Sequence, residues 1–357
     1  GSPSVLMMFH RRSGTLDAEL AAMNECMPHY YRITQGHGQG AELLMNAEAA
    51  FMQGNFSDAQ ILLEQTYSTI ASNGQHNISL CCDFLAARLS LFQESVTFVK
   101  NPEVKRKELL SLHNMMWLNI FDSTYAYYYA LIRMPEKIPA LFKDHMLSTV
   151  SFLSPCRPMM EMIENQVFLS QKMYAKVIGR SETLLPFCEK MHYELVSLHV
   201  QIQTASAYTM LGKHHDARQL LQKALGHAMP DGFLIPFVEN YNYIKDVLGS
   251  INSITPEPFT DRILSLGSVY EQHCLRLSSR NSRPEILNML NSREAEIAAL
   301  ITDRLSNREI AERLFLSEGT VKQYINQIYS KLMINGDTRT KRKQLAELIS
   351  SINKGLT

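Results

Sequence analysis

The sequence predicts an all-α protein: an α-solenoid of two-helix repeats followed by a small four-helix domain. Three observations lead there. From about residue 15 to about residue 275, Leu, Met, Ala, Glu and Gln are abundant, Gly and Pro rarely interrupt them, and no run alternates as a strand would. Within that stretch two segments follow one helical-hairpin plan and share a turn spacing with others. The last roughly 65 residues then break into four short amphipathic stretches, a size suited to one small domain.

Length and composition set the frame. A chain of 357 residues predicts two or more domains, and 45% apolar with 20% charged residues is ordinary globular composition. The reading divides it into a helical-repeat domain at 1–277, a linker at 278–290 and a small C-terminal domain at 291–357. No signal peptide and no 18-residue apolar run is present, and the six cysteines include no C-x-x-C pair. A cytoplasmic protein with reduced thiols and no membrane partner is expected. The chain opens Gly1-Ser2 without Met, which reads as a processed form, a tag remnant, or a piece of a longer regulator.

The repeats come first in the chain. AELLMNAEAAFMQGNFSDAQILLEQTYSTI (Ala41–Ile70) reads as a hairpin in which Ala47, Ala49 and Ala50 face a second helix starting near Ser57, with Gly54-Asn55 in the turn. YELVSLHVQIQTASAYTMLGKHHDARQLLQKAL (Tyr193–Leu225) repeats the plan, with Gly212-Lys213 in the turn and Ala217 in the place of Ala59. Less distinct turns fall near Glu94, at Met134-Pro135-Glu136, at Gln171-Lys172 and at Asn252-Ser253. The period is about 40, longer than the 34 of a tetratricopeptide unit, so a TPR-like solenoid of roughly six hairpins is expected, with an irregular bundle as the alternative. The polar, Pro284-containing segment Leu277–Ile286 reads as the linker that follows.

A solenoid offers a concave surface to a small-molecule or protein effector. The aromatic cluster around Trp117, Tyr125, Tyr127, Tyr128 and Tyr129 supplies candidate lining, with Trp117, Tyr125 and Tyr128 chosen as groove residues; the segment Pro230–Asn240 is a second candidate. Aromatic stripes at helical spacing also build cores. Other chemistry is thin. The glycines at Gly36, Gly38 and Gly40 lack the Lys-Ser/Thr of a phosphate-cradling loop and read as a turn. Cys188, His192, His199, His214 and His215 are the sole hint of a metal, and no second ligand pair supports it. No catalytic constellation stands out, so neither an enzyme nor a cofactor is expected.

The C-terminal domain carries the sharper signal. Val321, Ile325, Ile328 and Leu332 fall at i, i+4, i+7 and i+11 and make one apolar stripe. The opposite face carries Gly319, Gln323, Asn326 and Ser330, flanked by Lys322 and Tyr329 on one side and by Thr320, Tyr324 and Lys331 on the other, with no acid among them. Gln and Asn can pair bidentately with adenine, Lys can reach guanine acceptors, and hydroxyls at a helix N-terminus suit phosphate oxygens. Ser317 is the expected N-cap. Upstream, Ser306 with Glu309 and Asn291 with Glu294 have capping-box spacing, and Ile310, Ala311, Leu314, Ile297, Leu300 and Ile301 read as their buried edges. A last helix carries Leu345, Leu348, Ile349 and Ile352 at i, i+3, i+4 and i+7. Residues 291–357 hold 11 Lys plus Arg against 8 Asp plus Glu, whereas the rest of the chain is net acidic. The basic run Arg339, Lys341, Arg342, Lys343 reads as phosphate contacts or as a solvated turn.

These residues resemble the LuxR-type (NarL/GerE-like) DNA-binding domain: its L-[TS]-x-R-E opening at Leu290–Glu294, its S-N-x-E-I-A at Ser306–Ala311 and its S-x-x-T-V-K at Ser317–Lys322. The resemblance implies a four-helix domain on double-stranded DNA, with Lys322, Gln323 and Asn326 touching bases and Thr320 and Tyr324 near phosphates; Ser317 and Lys331 complete the expected contact set. Arg304 where the family usually has Gly, Tyr324 where it often has His, and a longer turn after Leu332 are departures. A looser likeness, carried by GSPSVLMMFHRRSG, by the segment from Met27 to Ala59 and by PDGFLIPFVEN, is to the repeat region of MalT-like (STAND class) regulators. That class has an upstream ATPase module, which these residues lack, so a fragment or a shortened regulator is implied. It also implies an effector on the repeats and makes RNA polymerase a candidate partner.

The reading is a transcription regulator, with the edge Leu345/Leu348/Ile352 as a possible homodimer contact on an inverted-repeat site. The alternative is a protein-interaction scaffold, in which the repeats bind a partner and the C-terminal domain is a docking element.

Overall fold

The computed structural model describes residues 2–71, 74–93, 95–96, 102–153, 155–281, 290–303, 305–332, 334 and 336–354. Among these the chain is all helical, with nineteen α-helices and no strand. It packs as two compact units, residues 1–275 and 276–357.

The first unit begins with α1 (Val5–Phe9) and α2 (Leu16–Ile33), and then the first expected hairpin, α3 (Ala41–Met52) and α4 (Phe56–Ile70). Gly54 takes φ +80° in its turn, a conformation that costs a side chain with Cβ about 1 kcal/mol. Ala47, Ala49 and Ala59 are all buried in the unit's core. Next come α5 (His76–Leu89), α6 (Pro102–Ser111), α7 (Met115–Leu131) and the short α8 (Ala140–Lys143). The second half stacks α9 (Arg157–Ser170), α10 (Tyr174–Met191), α11 (Glu194–Met210) and α12 (His214–Ala228), then α13 (Ile235–Glu239), α14 (Tyr241–Ile254) and α15 (Pro258–Asn281). Turns fall at Gln171-Lys172 and Gly212-Lys213 as expected, with Lys172 at φ +61° and Gly212 at φ +74°. Met134-Pro135-Glu136 likewise ends α7 and enters a 3₁₀ turn.

Two expectations change. Asn252 and Ser253 lie inside the last turn of α14, and the break comes at Thr255, because Asn252 is used to receive the Glu257 N–H and to bond Asp261 on the next helix. Leu277–Asn281, read as linker, continue α15; the rest of that segment and Glu94 lie outside the described residues.

Within the helical-repeat unit, contacts also reach beyond neighbouring hairpins. Here both ends of the unit meet. Glu48 on α3 accepts the Val5 and Leu6 N–H groups at 3.3 and 2.6 Å, and Asp231 accepts those of Gly14 and Leu16 at 2.6 and 3.0 Å. The Leu234 N–H donates to the Met52 carbonyl at 2.8 Å. Arg88 of α5 forms a two-toothed pair with Glu239 of α13 at 2.7 and 3.1 Å, and the Tyr127 hydroxyl donates to the same carboxylate at 2.8 Å. The inner helix α11 is therefore buried at every position from Leu195 to Ala207. A helix that is covered all round lines no open groove.

The second unit holds α16 (Ser292–Thr302), α17 (Asn307–Leu314), α18 (Glu318–Lys331) and α19 (Thr338–Lys354). Its core takes Ile297 and Ile301 from α16, Ile310 and Leu314 from α17, Val321, Ile325 and Ile328 from α18, and Leu345 and Ile349 from α19. Each fully buried side chain of this kind contributes roughly 1.5–3 kcal/mol. Leu345, read as part of an exposed dimer edge, is fully buried here. It faces α16 because the i, i+4 pair Leu345/Ile349 closes this core, with Leu348 only partly covered; the Ile352 side chain lies outside the description.

Candidate nucleic-acid interface

Cap chemistry sets each helix start in the C-terminal unit. The Ser306 hydroxyl receives the Glu309 N–H at 3.3 Å while the Glu309 carboxylate receives the Ser306 N–H at 2.7 Å; Asn291 and Glu294 make the same reciprocal pair at 2.8 and 2.7 Å. Ser317 caps α18, accepting the Thr320 N–H at 3.0 Å, with the two hydroxyls 2.8 Å apart. Both hydroxyls therefore sit at the positive end of the helix, where a phosphate oxygen is best received.

Two adjacent residues of the domain's opening hold the helix pair in place. The Arg293 guanidinium donates to the Leu314 carbonyl at 2.7 Å, which satisfies the C-terminus of α17. Glu294, almost inaccessible, receives the Lys331 ammonium at 2.7 Å, so the end of α18 is tied to the start of α16. Burial pushes the Glu294 carboxyl up, but the Lys331 hydrogen bond, the Asn291 N–H and the Lys331 charge outweigh it and hold it below the usual range. Between α17 and α18 the chain turns at Phe315, at φ +54° and with its ring 96% exposed, while Leu316 donates its N–H to the Ala311 carbonyl and rests on the core. This is a left-handed helix end built on a phenylalanine, where glycine is the usual choice.

Turning the apolar stripe of α18 into this core leaves Lys322, Gln323 and Asn326 exposed together, with Gln327 and Ser330 beside them. The structure thus brings together the three expected base-reading side chains. Gln327 escaped notice in the sequence, although it lies one helical turn beyond Gln323 and is signalled by the same period. Thr320 and Tyr324 are half-buried at the edge, Tyr324 packing partly on the core. Lys331 is engaged by Glu294. Tyr329, placed on a flank by the sequence, is buried: it is eight residues from Val321, within about 80° of the centre of the stripe. The basic run is divided. Arg342 donates to the Asn307 side chain at 2.7 Å and to the Leu305 carbonyl, Lys343 lies 3.7 Å from Glu347, and Lys341 lies over the Tyr329 ring at 5.9 Å. The Arg339 side chain and Arg304 lie outside the described residues.

The groove residues of the first unit do not converge. The Trp117 indole donates to Asn77 at 2.8 Å and stacks on His76 beside α5. Tyr128 packs edge-on against Tyr129, and burial, then Tyr129 and Cys274, push its hydroxyl up to about 12. Tyr125 instead lines a cleft of ≈ 470 Å³ with Phe121 and Tyr129. In the segment Pro230–Asn240, Phe233, Phe237 and Val238 are core. Cys188 and His199 are buried, His192 forms a left-handed helix end, and among the described residues no group of three His, Cys, Asp or Glu side chains could hold a metal. No described helix is long and apolar enough to cross a membrane.

Comparison with known proteins bears on the C-terminal unit. Residues 288–342 match the family described as bacterial regulatory proteins, luxR family. The chain is 42% identical over 110 residues to the transcriptional regulatory protein LnrK of Bacillus subtilis, covering 30% of this chain and 49% of that one. It is 42% identical over 65 residues to LiaR of the same organism (18% and 30%) and 33% identical over 57 residues to the DNA-binding transcriptional activator DevR/DosR of Mycobacterium tuberculosis (16% and 26%). The chain thus spans half or less of the length of these relatives. No solved structure matches the chain. With both capping boxes, the buried stripe of α18 and its polar outer face in register with that match, the C-terminal unit is a luxR-family helix-turn-helix domain.

Proposed function

We propose that the protein is a sequence-specific DNA-binding transcriptional regulator. The observation that carries this reading is the outer face of α18, where Lys322, Gln323, Asn326 and Gln327 stand exposed, with Glu318 in the first turn as the helix's one acid, on a helix whose opposite face is fixed in the core. Inserted in a major groove, that face offers a guanine-reading ammonium and adenine-reading amides, each good bidentate pair discriminating by about 1–3 kcal/mol. Thr320, Ser317 and the N-terminus of α18 face phosphates, and phosphate contacts supply affinity that falls with salt. The relatives, all named as transcriptional regulators, support the same reading.

The helical unit, which the notion of a MalT-like regulator makes a sensor, is read as the part that receives a small-molecule or protein effector in the cytoplasm, with RNA polymerase as the downstream partner. Selection of bound sequences from a random duplex pool at two salt concentrations tests the DNA reading. Wild type enriches a defined motif and Lys322→Ala/Asn326→Ala loses it; no enrichment by wild type even at low salt contradicts the reading for this chain.

A further inference from the structure

A cleft of ≈ 340 Å³ opens between α9 and α10 in the first unit and falls within the size range of small-molecule sites. Its floor is apolar, because Pro158 from the first turn of α9 and Leu184 of α10 both line it and are buried. Phe187, one turn beyond Leu184, makes a wall and stays 42% exposed, although it is a large aromatic side chain. That wall is backed. Phe187 stacks on Tyr193 with ring centroids 6.4 Å apart and planes 24° apart, and the Arg11 guanidinium lies 5.0 Å over the Tyr193 ring. Arg11 in turn donates to the Met191 carbonyl at 3.1 Å. Groups held in series this way fix the orientation of Phe187, whose other face is open to the cleft.

The rim carries no excess charge. Arg157 pairs with Glu161 across one turn of α9, Nε to Oε1 at 2.9 Å, so the two charges lining the cleft are matched to each other. Thr183, one turn before Phe187 on α10, donates its hydroxyl proton to the Arg180 carbonyl at 3.1 Å. Toward a ligand its oxygen is therefore an acceptor. From this juxtaposition we infer that the cleft binds an uncharged, flat aromatic molecule carrying one hydrogen-bond donor, the chemistry of a phenol or an indole. The ring lies between Phe187 and the floor of Pro158 and Leu184, and its O–H or N–H donates to the Thr183 hydroxyl oxygen. The inference deepens the sensing half of the proposed function and rests on it only for its regulatory meaning; binding itself is independent of DNA.

The test is titration of the full chain with phenol and with indole, without DNA, by calorimetry. Anisole, benzoate and cyclohexanol serve as probes that lack the donor, carry a charge and lack the flat ring. The expected result is saturable binding of phenol and indole, weaker binding of all three probes, and a loss of about tenfold in Phe187→Ala. Thr183→Val should weaken phenol about fivefold and leave anisole unchanged. Thr183 is exposed and valine keeps its shape, so this variant folds normally and keeps the test sound if Phe187→Ala does not. No saturable heat at millimolar phenol or indole, benzoate or cyclohexanol binding as well as phenol, or phenol binding unchanged in Thr183→Val overturns the inference. If that happens while wild type still enriches a DNA motif, the cleft assignment fails and the DNA reading stands; loss of the motif with phenol binding retained sinks the DNA reading alone.

Discussion

Lys331 Nζ lies 2.7 Å from Glu294 Oε2, across 37 residues of chain, and joins the last turn of α18 to the capping box of α16. A lysine that looks like a phosphate contact is thereby a strut. The pair sets the angle at which α18 presents Gln323 and Asn326, because the other end of that helix is held by Ser317 and the turn at Phe315.

Lys331→Met should therefore loosen the C-terminal unit by about 1–3 kcal/mol, since a nearly inaccessible carboxylate loses its cation. Hydrogen exchange of the α16 and α18 amides in the full chain reads this as a protection loss of roughly 5- to 150-fold; unchanged protection means the contact is incidental. The same carboxyl predicts an acid limit. Its folded value lies below the unfolded 4.5, so the contribution is fully present above pH 4.5 and disappears as pH falls through the lower folded value. Glu294→Gln should flatten that acid dependence.

Phe315 should be replaceable by glycine without loss. Its ring buries almost nothing, and relief of a left-handed φ of +54° offsets the extra freedom glycine gives the unfolded chain. Protection of α17 in Phe315→Gly is expected to stay within about 0.5 kcal/mol of wild type or to rise by up to about 1 kcal/mol. A clear fall would show that the exposed ring supports the turn by a contact not visible in the isolated unit.

The helical unit should weaken as pH rises from mildly acidic to neutral. Burial pushes the Glu48 carboxyl up to about 7, against the lowering effect of the Leu6 N–H, the Ser4 hydroxyl and the Arg88 charge. Because the folded value is raised above 4.5, stability is greatest below 4.5 and is lost progressively up to pH 7, after which it levels off. Thermal unfolding followed by Trp117 fluorescence at pH 5 and pH 8 checks this. Wild type should melt at the higher temperature at pH 5, and the difference should shrink in Glu48→Gln; equal melting at both values contradicts it.

What could be read from the sequence was local. The stripe Val321/Ile325/Ile328/Leu332, both capping boxes and the glycine turns at Gly54 and Gly212 are all determined within a few residues, by helical period and cap geometry. Contacts across long separations were illegible: Arg88 with Glu239 is 151 residues apart, Arg293 with the Leu314 carbonyl 21. Those distant contacts decide that the helical unit closes on itself, that Lys331 is tied down and that Leu345 is core. The aromatic cluster is divided by contacts that helical period does not encode: the Trp117 indole donates to Asn77 on α5, whereas Tyr125 lines a cleft with Phe121 and Tyr129.

The most direct test of the central claim, that the outer face of α18 chooses bases, is a comparison of affinities for the selected duplex and for a randomised duplex at fixed salt, for wild type and for Gln323→Ala/Asn326→Ala. Wild type should prefer its site by about 10³-fold or more, and the variant should lose most of that ratio while keeping the same salt slope, because its phosphate contacts are untouched. A variant that keeps the full preference would show that these amides do not read the site.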